Sequence, residues 1–399
     1  MLPVRRVKKK CKGKDCAGSL ENRGLRSRSL ISLLGEVRFS RKLLICRSCG
    51  QRFFPLDTKL GINGSGVSKG LAKTITLYSV FVPIEHAVRF LKDTCNIFVS
   101  PFLVKSLVFR IGKKISINAQ EDLTEKELKE VYSETKKADV GYVQADGSFV
   151  PIRGEKSREY KENKLGMMFT SNDMEKRISR KGKEIYKIKK KKFAISLAKG
   201  VDHFEKVLVK AATMSGVTFA KTLIFLSDGA EWLRHLQERK FPQAVRILDW
   251  YHVTEHLWQT AVQLFGPDNK EKCHAWVDPI KALIWDGEID KALVVIRKFA
   301  TETKKNSTPV WNLYNYYFKN KSAMNYAEYR LRGYYIGSGA VESANNYLVA
   351  NRMKLAGMRW TIPNADAMLW LRAEYFQDTW CEFWEKLDLK HDLRLSEVA

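Results

Sequence analysis

Hydrophobic and polar positions along this chain change rhythm several times, and each change predicts a different kind of element. In RSLISLLGEVRFSRKLLIC, residues 28–46, apolar and polar residues alternate with period two, which predicts a β-hairpin bending near Leu34–Glu36. Residues 66–115 follow a helical period, and PIEHAVRFLKDTC places Ile84, Ala87, Val88 and Leu91 on one face. A break at NIFV follows. Ser100-Pro101 then opens FLVKSLVFRIGKKI as an N-cap serine with proline at the first helical position. From residue 140 the segments YVQADGSFVPIR, KLGMMFT and KFAISLAKG read as strands. Helix DHFEKVLVKAATM, strand TLIFLSD, helix AEWLRHLQERKF, strand AVRILDWYH and helix VTEHLWQTAVQLF come next. Residues 265–332 read as helical, with a break at Asp278-Pro279. The chain returns through GYYIGSGAVESANNYLVANRMKLAGMRW, with a helix expected from about Ala340 to Ala356 and stopped by Gly357. Strands that begin as hairpins and continue as β-α-β units predict an α/β fold with a mixed sheet.

Charge then narrows the partners. The chain carries 70 Lys+Arg against 44 Asp+Glu, a net +26, which points to an anionic partner and to nucleic acid before an acidic membrane surface. No apolar run approaches the ~20 residues of a membrane span, and no signal-peptide core follows the basic start VRRVKKKCKGK. A cytoplasmic protein with no membrane partner is expected. Seven cysteines without a secretory signal fit a reducing compartment, where short-spaced pairs read as metal sites. Cys11-x4-Cys16 and Cys46-x2-Cys49 bracket the expected hairpin, so residues 1–60 read as a zinc ribbon with four thiolates on one structural Zn2+. The first spacing is wider than usual, and four unrelated reduced cysteines are the alternative. Residues 61–135 read as a helical region. Its helix, short turn and capped helix fit a DNA-binding helix-turn-helix or an ordinary antiparallel pair. Residues 136–264 form the first part of the core, 265–332 a helical insertion, and 333–399 the closing helix and tail.

Acids at the mouths of apolar strands need a reason, because an unpartnered buried charge costs several kcal/mol, on the order of the Born penalty after relaxation. Asp146, Asp228 and Asp249 all lie at or near strand ends, where α/β sheets place their sites. On the closing helix Val341, Ala344, Leu348 and Leu355 form the core stripe, and Glu342 stands one step off it. Asp146, Asp228 and Glu342 are therefore three acids that one fold can gather. Close carboxylates repel, and hard divalent cations such as Mg2+ remove the conflict. Two such ions about 4 Å apart support in-line phosphoryl displacement. Glycines 147 and 229 would permit close approach of a nucleic-acid backbone. Each acid also has a structural reading: a turn at Asp146-Gly147, an N-cap at Asp228, and a first-turn acid at Glu342.

SDGAEWL, RILDWYHVTEHLW and IGSGAVESANNYLVANRMKLAGMRWT followed by AMLWLRA resemble the DDE transposases of bacterial insertion sequences, of the ISKra type within the Mutator-like assemblage. The resemblance covers most of the chain. It implies an RNase H-like core with an α-helical insertion between the second aspartate and the glutamate. The family's acids fall on Asp146, Asp228 and Glu342, holding two Mg2+ or Mn2+ ions. It further implies that Asp249 and His252, in DWYH, shape the site or contact DNA, that the N-terminal region recognises terminal inverted repeats, and that protomers assemble on double-stranded DNA. The expected activity is hydrolysis at transposon ends followed by strand transfer of the 3′-hydroxyl into target DNA. Rival expectations are a non-catalytic DNA-binding relative and an RNase H-like host nuclease.

Further residues carry weaker signals. His252 and His256 share a helix face with Glu255 and would make a zinc pair only with an unidentified third ligand; a structural or DNA-facing role is the simpler reading. The tract 174–193, with Lys189, Lys190, Lys191 and Lys192, fits a solvated loop or a phosphate contact. Aromatics and cations interleave over 311–335, which fits base stacking or core packing. Arg352, Lys354, Arg359 and Trp360, just beyond Glu342, are expected to hold the DNA backbone.

Overall fold

The long alternating segment folds as expected. β1 (Leu20–Ser32) and β2 (Gly35–Cys46) pair antiparallel, with Ser32 opposite Gly35, and β3 (Arg52–Phe53) adds to β2. Leu33 and Leu34 make the two-residue turn, one position before the expected bend. This computed structural model describes residues 10–11, 16–60, 62, 66–134, 137–154, 158–178, 182, 184–303 and 307–387. Beneath the hairpin, buried Asp57 accepts hydrogen bonds from Arg28 and Arg41, and the Arg41 guanidinium lies 3.6 Å from the Phe54 ring centre.

Three helices follow, Lys69–Phe81, Ile84–Cys95 and Pro101–Gln120. Ser100 caps the last of them, its Oγ accepting the Leu103 N–H at 3.2 Å. The turn before it needs no glycine, because Asn96 takes the left-handed conformation at φ 52° and its N–H reaches back to Lys92. These elements form one compact unit, Met1–Ser116, which also takes Trp370–Tyr375 and Thr379–Ala399. Within it Arg372 donates to the Val80 carbonyl, and Lys69 Nζ to that of Glu385 at 3.1 Å. The expected ribbon thus shares a unit with the helical region only as far as Ser116, the rest of that region, from Ile117, falling in the second unit, and the closing region is divided.

Among its described residues, the second unit, Ile117–Leu369 with Phe376–Asp378, holds seven strands. These are β4 (Val140–Arg153), β5 (Arg158–Thr170), β6 (Met174–Ile178), β7 (Glu184–Ile188), β8 (Lys192–Leu197), β9 (Thr222–Ser227) and β10 (Val245–Leu248). Five of them form a mixed sheet in the order β10-β9-β4-β5-β8. β4, β5 and β8 are antiparallel neighbours, whereas β9 and β10 run parallel to β4. The change of direction follows from the connections: helices Gly200–Met214 and Glu231–Lys240 precede β9 and β10, and a parallel strand needs such a crossover. β9 is covered on both faces, so Leu223, Ile224, Phe225 and Leu226 are all buried and read as one apolar run.

Three local expectations need correction. The basic tract is not a loop: β6 and β7 pair as a ribbon, with Met174 opposite Ile188 (residues 179–181 and 183 lie outside the described residues). Pro279 does not break its helix, which runs from Lys270 to Trp285. Burial of Val277, Ile280 and Ile284 outweighs the hydrogen bond that proline forfeits. Helices Ile289–Glu302, Thr308–Asn320 and Tyr326–Leu331 complete the insertion. The closing helical run starts at Gly339 but ends at Met353, with a π-type stretch over Asn345–Ala350, and Gly357 (φ 72°) lies in the turn beyond. One wide turn shifts the helical register, which a strict 3.6-residue period does not foresee.

Candidate functional site

Four thiols converge beside the hairpin. The sulfurs of Cys11, Cys16, Cys46 and Cys49 all lie within 4.8 Å of one another. Four thiolates about 2.3 Å from a tetrahedral Zn2+ stand about 3.8 Å apart. Cys11 Sγ to Cys49 Sγ is 3.7 Å, and Cys16 Sγ to Cys46 Sγ is 3.6 Å. The backbone N–H groups of Cys49 and Ser48 point at the Cys46 sulfur and pull its pKa down to about 6, which favours the thiolate a metal requires. Gly18 is needed here, since a Cβ on it would stand 2.7 Å from the Cys46 sulfur. The cluster could therefore bind zinc.

The acidic site is assembled across the sheet. β4 and β9 pair in register up to Gln144 opposite Leu226. Two residues beyond that last pair stand Asp146, still inside β4, and Asp228, one residue past the end of β9. Asp146 is not in a turn: it lies inside β4, opposite Leu165 of β5, which removes the Asp-Gly hairpin reading. Asp228 is not the N-cap: helix Glu231–Lys240 has Ala230 at that position with no side-chain cap, and Asp228 Oδ1 instead accepts the Ala230 N–H at 2.9 Å in a turn before the helix. Asp249 continues β10, its N–H donating to the Ser227 carbonyl at 2.9 Å. Asp146, His252 and Glu342 line one cleft of about 500 Å3, together with Tyr251, Glu255 and Trp258.

Gln144 explains how the closing helix finds this place. Its buried amide donates to the Gly337 carbonyl at 3.2 Å and accepts the Val341 N–H at 3.1 Å. Asp249 adds a second tie: it is fully buried and accepts the Ser338 N–H at 2.8 Å and the His252 N–H at 3.0 Å. The loop before Glu342 is thereby fastened to β4 and β10. Asn345 completes the arrangement, donating to Asp146 Oδ2 at 2.6 Å while its Oδ1 accepts the Ser148 hydroxyl at 2.9 Å.

Charges here are in conflict. Burial raises the Asp146 pKa, with the nearby Asp228 and Glu342 adding to the effect, while hydrogen bonds from Asn345 and Gly147 oppose it. For Asp249, burial likewise opposes ionisation, but the donors His252 and Ser338 win and hold its carboxyl below the usual range. The hydrogen bond to Asp249 lifts His252 to about 9; burial works against the rise, and Asp228 and Glu342 support it. His252 Nδ1 lies 2.7 Å from Asp249 and 3.7 Å from Glu342. Asp249, His252 and Glu342 each offer a ligand atom within 4.8 Å of the others and could hold a metal. The set Asp146, Asp228 and Glu342 does not meet that distance among the described residues. His256 joins neither cluster; its ring packs 4.4 Å from that of Tyr316.

Several expected DNA contacts are corrected. Arg352 is 1% exposed, with its guanidinium 5.1 Å from the Trp360 ring centre and Nη1 donating to Met358. Trp360 is buried too, extending the sheet edge through Arg153 N–H to its own carbonyl at 2.8 Å. Both are packing residues. Lys354 and Arg359 are exposed. Lys189 pairs with Glu175 at 3.1 Å, Lys190 is exposed, Lys191 is half-buried with its ammonium pKa pushed down by burial, and Lys192 opens β8 opposite Met168. Gly229 does not serve DNA approach either. It adopts φ 86°, and a Cβ there would stand 2.6 Å from Leu248 and 3.0 Å from the Tyr316 hydroxyl, which donates to the Asp228 carbonyl. Three of the insertion aromatics are core: Tyr317, Tyr326 and Tyr329 are buried and donate to the carbonyls of Val253, Leu248 and Arg246.

Sequence reasoning missed Gln144 and Asn345. A polar residue inside the apolar run YVQA signalled the first, and the helical i, i+3 spacing from Glu342 the second. Residues 19–379 match the model of UPF0236, described as an uncharacterised protein family. No curated protein matches the chain.

Proposed function

The chain thus belongs to the uncharacterised family UPF0236, whose description assigns no activity, and we propose that it is a DDE-type DNA transposase. The observation that carries this reading is the Asp146 carboxylate, whose charge is opposed by burial and by the fields of Asp228 and Glu342. Three oxygen donors suit hard Mg2+ or Mn2+, and the half-exposed Glu342 side chain (39%) stands at the cleft rim. The mixed sheet, with three antiparallel strands, two parallel β-α units and a helical insertion before Glu342, supports an RNase H-like core.

When bound, two ions supply Lewis acidity to the scissile phosphate and acidify the attacking water. Asp146 from β4 and Asp228 from the loop after β9 would hold them, and Glu342 would close the set from the helix. Asp249, already saturated with donors, keeps His252 charged and aimed into the cleft, and both shape the site rather than ligate. Hydrolysis breaks one P–O bond and leaves a 3′-hydroxyl at the element end. That hydroxyl then attacks a target phosphodiester, forming a new P–O bond as the target strand's own 3′-oxygen leaves and takes up a proton. The four-cysteine ribbon, with its structural Zn2+, and the helices of the first unit recognise the terminal inverted repeats. Net charge of +26 favours duplex DNA as partner, protomers assemble on it, and the compartment is the cytoplasm.

The test is incubation of the protein and Mg2+ with duplexes carrying the sequences that bracket its reading frame. New 3′-hydroxyl ends and joined products are expected. Salt-sensitive binding without cutting would instead identify a non-catalytic DNA-binding protein. Cutting that follows DNA shape, without joining, would identify a nuclease.

A further inference from the structure

Asn345 is a residue without charge at the centre of a charged site, and its two hydrogen bonds are the reason to assign it a role. Its Nδ2 donates to Asp146 Oδ2 at 2.6 Å, and the Gly147 N–H donates to Asp146 Oδ1 at 2.7 Å. Each carboxylate oxygen is therefore held by one donor, which fixes the plane of the group and leaves a lone pair on each oxygen for a cation. The amide itself cannot turn over freely, because its Oδ1 accepts the Ser148 hydroxyl at 2.9 Å. Ser148 stands two residues along β4 from Asp146, on the same face of the sheet. The chain Ser148–Asn345–Asp146 thus ties strand to helix and carries its orientation to one carboxylate.

We propose that Asn345, braced by Ser148, is a positioning residue that presets Asp146 for divalent-metal binding. This rests on the reading of Asp146 as a metal ligand. Neutrality is the point of the amide. Lys or Arg at this place would satisfy Asp146 equally well but would compete with the cation, whereas a third acid would add to the repulsion from Asp228 and Glu342. The placement also depends on the helix. Asn345 opens the π-type stretch Asn345–Ala350, within which Leu348 and Val349 are buried. Residues one shell out from a metal commonly set its affinity in this way.

The experiment titrates Mn2+ by calorimetry into the full chain without DNA, counting as specific only the binding that Asp146→Asn removes. Asn345→Ala is expected to weaken that binding by about 10- to 100-fold, while the metal-free melting temperature stays near that of the wild type. Ser148→Ala, which perturbs packing less, should weaken it by a smaller factor. Wild-type Mn2+ affinity in Asn345→Ala would overturn the proposal, as would a loss of affinity that appears only with a matching loss of melting temperature. If Asp146→Asn itself leaves Mn2+ binding unchanged, the assignment of Asp146 falls, and the role given to Asn345 falls with it.

Discussion

The thiol cluster and the acidic cleft are both candidate metal sites, yet they are built on opposite plans. Cys11, Cys16, Cys46 and Cys49 come from two short segments at the ends of one hairpin, and their sulfurs already stand at the spacing of a tetrahedron. Every corner is filled, so such a site holds structure and leaves no position for a substrate. The cleft instead draws Asp146 from β4 and Glu342 from a distant helix, with Glu342 part-exposed and Asp146 opposed by burial and by the like charge of Asp228 and Glu342. In the proposed reading, a divalent cation would relieve that conflict. A closed site is finished by folding, whereas an open one stores its repulsion for the metal and substrate.

That contrast is breakable, beginning with its largest effect. Removing zinc, or replacing Cys46 by Ser, should unfold the hairpin region, because a structural Zn2+ contributes on the order of 10 kcal/mol of folding free energy. Zinc content by mass spectrometry and loss of strand signal by circular dichroism would check it. Asp146→Asn should do the reverse: Mg2+-dependent cleavage falls by a factor on the order of 1,000, the scale of one preorganised electrostatic contact, while metal-free thermal stability holds or rises. Unchanged cleavage, or a collapse of stability, would erase the distinction between the two sites.

Gly229→Ala sharpens the cleft side. Its φ of 86° and the 2.6 Å approach to Leu248 predict a stability loss of about 1–2 kcal/mol or more from the left-handed backbone alone, read by urea unfolding. The smallest expected effect concerns pH. His252 sits at about 9 in the folded protein, above its ordinary 6.5, so its pairing with Asp249 stabilises fully below pH 6.5. That contribution is lost as pH rises through about 9. The melting-temperature difference between wild type and His252→Gln, measured without metal, should therefore shrink across this window.

Legibility in the sequence followed the same division. The paired cysteines, the Ser100-Pro101 helix start and the alternating hairpin are local signals, and each lies where its spacing indicates. Asp228 was legible as an acid ending an apolar strand; Asp146, expected at or near a strand end, lies inside β4 instead, because its place depends on pairing with β5, which no short window contains. Arg352 misled because a cation reads as surface, yet here its guanidinium packs near Trp360 in the core. Pro279 misled because tertiary burial overrode a local breaker. Asn345 could not be weighed without knowing that β4 passes beneath the closing helix, and the π-type register that begins there has no compositional sign.

The central claim is that the sheet and closing helix gather one divalent-metal site around Asp146, Asp228 and Glu342. Diffraction at the manganese absorption edge, from crystals soaked in Mn2+, addresses it directly. Anomalous peaks are predicted against the side chains of Asp146, Asp228 and Glu342, absent in Asp146→Asn crystals soaked identically. Peaks confined to Asp249 and His252, or none in the cleft while the protein is intact, would contradict it.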